Sequence, residues 1–216
     1  MSESALRVYY DRRAPEYEKV YEKPERQEDL RILRYSIQER LRGHRVLEVA
    51  CGTGYWTEAL ANSADTILAI DQSQECLALA REKNLSKPRV RFLQDDAFTL
   101  EHCPTGFTAG FAAFWWSHIP TSRISEFVTR FHSKLNPGAF VMLTDNNYVE
   151  GSNHPIVRTD SEGNTYQLRE LADGGCHEVL KNFPTDDEIR KSLEGVASGL
   201  KIQRFKYYWM ASYWVK

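Results

Sequence analysis

Short apolar runs that alternate with helix-forming segments constrain the fold of this chain more than any other feature. The runs are nearly continuously apolar, and the segments between them carry apolar residues at helical spacing. Strands of that kind are buried on both faces, so the alternation predicts a parallel sheet wound by helices. The predicted strands are VLEVA (46–50), TILAID (66–71), VRFLQDD (90–96), GFAAFWW (110–116) and AFVMLTD (139–145).

The 216 residues are expected to fold as one domain, residues 1–216, with four parts. Residues 44–145 form the core, and residues 1–43 form N-terminal cap helices ahead of it. Residues 146–184 are polar and turn-rich with short strand-like pieces, and they are predicted to be a lid inserted after strand five. Residues 185–216 supply a helix capped by Thr185 and an antiparallel hairpin at the sheet edge.

Composition and charge exclude several classes of partner. The chain carries a formal net charge of -2 and has no block of Lys and Arg, so nucleic acid is not expected as its main partner. The N-terminal segment has no apolar signal core, and no apolar run approaches the roughly 20 residues that span a bilayer. A cytoplasmic protein without a membrane partner is therefore expected. The four cysteines are widely separated and indicate neither a zinc site nor a disulfide framework.

The segment after the first strand, residues 48–54, breaks the apolar run into small residues. Such residues allow a sharp turn and bring backbone N–H groups close to a ligand, although a plain tight turn would use the same residues. The dinucleotide pattern G-x-G-x-x-G is incomplete, because Thr57 occupies the position of its third glycine. The pattern therefore disfavours a nicotinamide cofactor.

Acidic residues end the next two strands. Asp71 closes strand two, where a carboxylate can accept hydrogen bonds from both hydroxyls of a ribose. Asp95 and Asp96 close strand three, where a carboxylate can accept the amino group of an adenine. Together with the loop led by Glu48, these positions indicate a nucleoside-containing ligand.

At these residues the chain resembles the class I S-adenosylmethionine-dependent methyltransferases. EVACGTG matches the family's acid-x-small-x-Gly-x-Gly motif with Ala50 at the first glycine, AIDQS matches its ribose acid, and QDDAF matches its adenine-side motif. The resemblance covers residues 44–145. It implies S-adenosyl-L-methionine as cofactor and an α/β, Rossmann-like, seven-stranded sheet, mostly parallel with the last strand antiparallel. The implied cofactor-binding residues in these motifs are Glu48, Ala50, Cys51, Gly52, Gly54, Asp71, Gln72, Asp95, Asp96 and Ala97.

Aromatic residues near the predicted cofactor site allow two interpretations. The segment YYDRRAPEYEKVY resembles the helix that precedes the sheet in small-molecule members, and Tyr10 and Tyr17 share a face of it. They either shield the cofactor or pack the helix on the sheet. Trp115 and Trp116, at the carboxyl end of predicted strand four, either line the cofactor and acceptor pockets, respectively, or pack in the core. His118 is either a general base or a structural residue that caps the next helix.

His132, His154 and His177 are scattered without metal-ligand spacing, so no metal site is predicted.

The predicted lid, residues 146–184, holds most of the remaining candidate residues. The polar and aromatic residues of the lid either contact an acceptor or stabilise the lid itself. The candidate acceptor-binding residues, with one from the core, are Trp116, Tyr148, His154, Arg158, Tyr166 and Arg169.

The function predicted from the sequence is methyl transfer from S-adenosylmethionine to a small, partly apolar molecule. In-line attack by an acceptor oxygen or nitrogen is expected, and His118 is the candidate base if the acceptor needs one. A nicotinamide-dependent oxidoreductase and a non-catalytic S-adenosylmethionine-binding protein are the alternatives. Neither the acceptor nor the oligomeric state follows from the sequence.

Overall fold

Ten strands build two sheets in the computed structural model, which describes residues 9–85, 89–171 and 174–216. The larger sheet has the order β3-β2-β1-β4-β5-β10-β9, and β10 runs opposite in direction to its other six strands. This confirms the predicted seven-stranded, Rossmann-like architecture. The strands are β1 (Arg45–Val49), β2 (Thr66–Asp71), β3 (Val90–Gln94), β4 (Phe107–Ala113), β5 (Leu135–Asn146), β6 (Ile156–Thr159), β7 (Thr165–Glu170), β8 (Cys176–Leu180), β9 (Ala197–Arg204) and β10 (Tyr208–Val215).

Helices cover both faces of the larger sheet because side chains of each strand alternate between the faces. Leu47 of β1 packs into one core with Phe127 of α4, whereas Val46 packs into the opposite core with Leu33 of α1. None of the helices in the described part of the chain has the length and apolar character needed to cross a bilayer. The helices are α1 (Gln27–Arg40), α2 (Tyr55–Ala61), α3 (Gln74–Glu82), α4 (Ile124–His132) and α5 (Asp186–Ser192).

Residues ahead of α1 wrap over the carboxyl edge of the sheet. Residues 9–13 are α-helical, and the chain continues as tight 3-10 turns over Ala14–Tyr21 and Pro24–Arg26. Pro15 stands at the start of the first 3-10 segment, where it removes a backbone N–H and favours a break in the α-helix. Residues 1–8 of the predicted cap lie outside the described residues.

Most local signals in the sequence agree with the structure. The Ser73 hydroxyl accepts a hydrogen bond from the Cys76 N–H at 3.0 Å and so caps α3, and Thr185 caps α5 in a reciprocal pair with Glu188. The prediction that strand four continues to residue 116 is wrong. Strand β4 ends at Ala113, because Phe114 takes a positive φ of 59° and turns the chain away from the sheet.

The segment predicted as a lid contains the second sheet. Strands β6, β7 and β8 pair antiparallel in that order, which accounts for the strand-like pieces in residues 146–184. Within this segment, residues 172–173 lie outside the described residues. The end of β8 returns to the carboxyl edge of the larger sheet, where the Asn182 N–H donates to the Ser117 carbonyl at 2.8 Å.

Candidate functional site

Two neighbouring clefts lie at the carboxyl edge of the sheet, next to the point where the strand order reverses between β1 and β4. Open α/β sheets bind their ligands at this position. The first cleft is lined by Gly52, Asp71 and Trp115 among others, and the second by Arg26, Arg169 and Lys181 among others. Tyr10, Tyr17, Phe114 and His118 line both clefts and form a shared wall between them.

The loop after β1 forms the floor of the first cleft, and its two glycines serve different purposes. Gly52 has a φ of +56°, and a Cβ added there would meet only the Tyr17 ring, at 3.8 Å, in the space of the cleft. Gly54 has a φ of +79°, and an added Cβ would lie 3.1 Å from the Ala80 Cβ in α3. Gly52 therefore leaves room for a ligand, whereas Gly54 allows close packing of a helix.

Asp71 lies at the end of β2 and braces this loop. One carboxylate oxygen accepts the Gly52 N–H at 2.8 Å and the other accepts the Ser73 N–H at 2.9 Å. Burial raises the pKa of Asp71 above its usual value, against the lowering effect of these hydrogen bonds. Each oxygen retains a free lone pair, so the side chain still has capacity to accept hydroxyl groups from a bound ribose.

The two acids after β3 are not equivalent. Asp95 is occupied by its own loop, since its oxygens accept the N–H groups of Asp96 and His102. Asp96 also accepts a loop N–H, that of Phe98 at 2.7 Å, but it is only partly buried, and its other oxygen accepts the side-chain amide of Gln72 at 2.9 Å. Both Asp96 and Gln72 line the first cleft. Asp96 and Gln72 are therefore better placed than Asp95 to bind the polar edge of an adenine.

One residue that lines the first cleft carries a buried polar atom without a partner among the described residues. The Trp115 indole N–H is buried and has no hydrogen-bond partner among the described residues, while its ring packs edge-on against Phe98. Buried polar groups usually have partners, so a ligand is a natural one for this donor. The room above Gly52, the acids at the strand ends and the Trp115 donor together fit S-adenosylmethionine, the cofactor implied by the sequence.

Glu48, Cys51 and Gly54 do not line either cleft. Burial raises the pKa of Glu48 to about 8. The structure thus leaves these three predicted cofactor-binding residues outside the linings of both clefts. Of the other predicted cofactor residues, those that line the first cleft are Tyr10, Tyr17, Ala50, Gly52, Asp71, Gln72, Asp95, Asp96, Ala97 and Trp115.

His118 is buried in the shared wall and does not cap a helix. Its Nδ1 lies 2.7 Å from the Leu180 carbonyl oxygen, which can only accept, so Nδ1 carries the proton. Its Nε2 then accepts the Tyr10 hydroxyl at 2.7 Å. Burial lowers the pKa of His118 well below 6.5, and the cations Lys181, Arg169 and Arg13 lower it further. The imidazole is therefore neutral at pH 7.

Positive charge gathers in the second cleft. The cationic side chains that line it are Arg13, Lys23, Arg26, Arg169 and Lys181, and no Asp or Glu among the described residues lines it with them. Lys181 is buried and donates to Ser117 at 2.6 Å and to Asp145 at 3.1 Å. The cleft can therefore accommodate anionic groups far more readily than cationic ones.

The predicted acceptor-binding residues divide into two groups. His154 and Arg169 line the second cleft, whereas Trp116 packs against Trp209 in the core. The other three, which line neither cleft, pack within the inserted segment: Tyr148 against Phe183, Arg158 in an ion pair with Glu178, and Tyr166 in a hydrogen bond to Asp160.

Sequence reasoning missed Arg13, Lys23, Arg26 and Lys181. Three of these cations are interspersed with glutamates in residues 13–26, so no basic cluster marks them. They meet Lys181 only because the N-terminal segment and the end of β8 reach the same edge. Among the described residues, no group of three or more His, Cys, Asp or Glu side chains is arranged to hold a metal ion.

Comparisons with known proteins agree with this geometry. A family model described as a methyltransferase domain matches residues 46–138. The demethylmenaquinone methyltransferase of Staphylococcus aureus (strain MRSA252) is 28% identical over 107 residues, which cover 48% of this chain and 44% of that protein. The alignment thus spans less than half the length of this curated relative.

Two solved structures are similar over almost the whole chain. The DhpI-SAM-HEP complex is 28% identical with a TM-score of 0.80, and the match covers 99% of both chains. The DhpI-SAH complex is 29% identical with a TM-score of 0.76, and the match covers 97% of this chain and 95% of that one. The similarity therefore includes the inserted segment and the N-terminal segment as well as the core.

Proposed function

We propose that this chain, which belongs to the class I S-adenosylmethionine-dependent methyltransferases, transfers a methyl group to a small molecule held in the second cleft. The observation that carries the proposal is the shared wall between the clefts. A cofactor in the first cleft and an acceptor in the second would meet at Tyr10, Tyr17, Phe114 and His118. The acceptor atom is an oxygen or a nitrogen, because the wall offers a pair that can take up a proton.

The first cleft holds the cofactor. When bound, S-adenosylmethionine supplies an electrophilic methyl group on a sulfonium centre. Asp71 would accept the ribose hydroxyls, Asp96 would accept the adenine amino group, and Gly52 leaves the space that the ligand fills. The similarity to the DhpI complexes with SAH and with SAM and HEP supports this assignment.

Tyr10 and His118 act as a proton-accepting pair. The Tyr10 hydroxyl donates to Nε2 of His118, so Tyr10 can take the acceptor's proton while it passes its own to the imidazole. Burial raises the pKa of Tyr10 well above 10, which keeps the hydroxyl neutral until transfer occurs. The bond from His118 to Leu180 fixes the tautomer that can receive the proton.

The wall also keeps water away from the reacting atoms. Tyr10 and Tyr17 pack edge to face with ring centroids 5.9 Å apart, and Tyr17 packs in the same way on Tyr21. Leu180 of the inserted sheet closes the first cleft from the other side. Exclusion of water strengthens electrostatic interactions in the cleft and leaves alignment of acceptor and donor as the main task of the protein.

The test is methyl transfer from isotope-labelled S-adenosylmethionine into a small-molecule extract, followed by mass spectrometry of the products. We expect labelled small-molecule product and a turnover lowered roughly 10²–10⁴-fold by His118→Ala, the usual range for a positioned base. His132→Ala is the matched control, because His132 also bonds a tyrosine hydroxyl, that of Tyr213 at 2.9 Å, but lines neither cleft.

Three results would contradict parts of the proposal. Tight cofactor binding without labelled product from any extract would favour a non-catalytic binding protein. Binding of a nicotinamide cofactor in place of S-adenosylmethionine would favour an oxidoreductase. Labelled product with unchanged turnover in His118→Ala would exclude the proton-accepting pair and leave the methyl transfer itself intact.

A further inference from the structure

We infer that the acceptor carries an oxyanion group, which Arg169 binds in the second cleft. This inference rests on the proposed function, because it names the chemical class of the molecule that receives the methyl group. It differs from the sequence-based expectation of a partly apolar acceptor. The reason is the charge of the second cleft, which the sequence did not reveal.

Arg169 is a buried charge without a carboxylate partner among the described residues. Its side chain lies on the central strand β7 of the inserted sheet and is only 8% exposed. Nη2 donates to the Gln167 side chain at 3.0 Å, and the buried Nε has no hydrogen-bond partner among the described residues. Burying an ion costs several kcal/mol unless a counter-charge and hydrogen bonds compensate it. A ligand anion would supply both.

Three other cations of the second cleft are more completely engaged, and Arg13, which is only partly buried, donates to the Tyr9 hydroxyl at 2.9 Å. Lys23 donates to the Ser152 carbonyl at 2.6 Å, and Arg26 binds the same carbonyl at 3.0 Å, so both tie the loop at Ser152 to the N-terminal segment. Lys181 is paired with Asp145. Arg169 is thus the buried cation of this cleft with donor capacity left for a ligand.

The chemistry of the guanidinium group favours an oxyanion over other anionic or polar groups. Its planar set of N–H donors matches the oxygens of a carboxylate, phosphate or phosphonate and binds them with two parallel hydrogen bonds. Arg13 adds positive charge nearby, since its guanidinium lies 5.4 Å from the centre of the Tyr17 ring in the shared wall. An oxyanion at Arg169 would therefore lie beside the wall where transfer is proposed.

An oxyanion would also prepare His118 for its proposed role. Lys181, Arg169 and Arg13 all oppose protonation of His118. A bound anion would offset these three positive charges and raise the affinity of the imidazole for a proton. Binding of the acceptor and readiness to accept its proton would then be coupled through the same cluster of cations.

The test is calorimetric titration of inorganic phosphate, acetate and uncharged acetamide into the protein saturated with S-adenosylhomocysteine at low salt. We expect phosphate or acetate to bind and acetamide not to bind. Arg169→Gln should weaken the anion at least tenfold, and Arg169→Lys should weaken it less. Arg158→Gln is the matched control, because this arginine lies in the same sheet, is exposed and pairs with Glu178. Stronger binding of phosphate indicates a phosphorus oxyanion, and stronger binding of acetate indicates a carboxylate.

Two further measurements test the inference even if Arg169→Gln changes the stability of the protein as well as its anion site. Thermal unfolding without ligand should show that Arg169→Gln is at least as stable as the parent, because the substitution removes an uncompensated charge. In the parent protein, the better-bound anion should compete with the labelled acceptor. Failure of both anions to bind, or an equal loss of anion affinity in Arg158→Gln, would overturn the inference. Methyl transfer to a neutral product in the same protein would still support the proposed function. Binding of an anion that depends on Arg169, without methyl transfer to any product, would support an oxyanion site at Arg169 and contradict the proposed function.

Discussion

The two glycines of the loop after β1 allow the cofactor cleft to be tested separately from the packing of the fold. Gly52 and Gly54 both have positive φ, so replacement by alanine imposes a similar backbone penalty of about 1–2 kcal/mol at each. The loss of chain entropy in the unfolded state offsets roughly 0.4–1 kcal/mol of this. Gly52→Ala should therefore lower the free energy of unfolding by only about 1 kcal/mol.

Gly54→Ala should cost more stability, because the new Cβ would lie 3.1 Å from the Ala80 Cβ and 3.3 Å from its Cα. Crowding of this kind adds about 1–3 kcal/mol, which brings the expected total to roughly 2–4 kcal/mol. For cofactor affinity we expect the opposite order, with the larger loss in Gly52→Ala. A Cβ at Gly52 enters the first cleft, and a loss of about 1.4–3 kcal/mol there corresponds to at least tenfold weaker binding.

Denaturant unfolding without ligand and calorimetric titration with S-adenosylhomocysteine, performed on both variants, separate the two effects. Full cofactor affinity in Gly52→Ala would refute the placement of the cofactor over this glycine. Equal destabilisation by the two substitutions would refute the packing argument for Gly54. Either result can be read without an acceptor, so the test does not depend on the proposed reaction.

Three other substitutions test the groups around the clefts. Asp71→Ala should weaken S-adenosylhomocysteine by about 1.5–3 kcal/mol in calorimetry, and unchanged affinity would exclude the ribose assignment. Lys181→Met should lower the free energy of unfolding in urea by about 3–5 kcal/mol, because it leaves Asp145 buried without a counter-charge. A neutral effect would refute a stabilising role for this ion pair. His118→Gln should flatten the acid side of the stability profile. The pKa of His118 is lower in the folded protein than in the unfolded chain. Below about pH 6.5 the unfolded chain therefore binds more protons than the folded protein, and the parent protein loses stability there. Parallel urea profiles of parent and variant between about pH 7 and 5 would contradict this shift.

The sequence predicted the core of the fold because its signals are local. Apolar runs place the strands, and Ser73 and Thr185 mark helix starts by bonds that span three residues. The acids at the ends of β2 and β3 could be assigned to one edge because parallel strands end together. Phe114 shows where such reasoning fails, since an apolar residue with positive φ ends β4 within an uninterrupted apolar run.

The second cleft could not be predicted because its residues meet only in the folded chain. Tyr10 and His118 are separated by 108 positions and share a hydrogen bond of 2.7 Å. Arg169 and Arg158 look alike in the sequence, yet one points into the cleft and the other lies outside, paired with Glu178. The difference follows from the faces of the inserted sheet, whose packing on the N-terminal segment no short pattern encodes.

The inserted sheet is part of the core as well as a cover for the clefts. Leu180 accepts the hydrogen bond that fixes the tautomer of His118, and the next residue, Lys181, pairs with Asp145 at the end of β5. Movement of the whole segment would break a buried ion pair, which costs far more than opening an exposed loop. Access for the acceptor is therefore expected from the other side of the second cleft, where Lys23 and Arg26 hold the loop at Ser152 through hydrogen bonds. The end of β8 then remains a fixed part of the site, so substitutions aimed at acceptor specificity are expected to act through the residues around Arg169 rather than through Lys181.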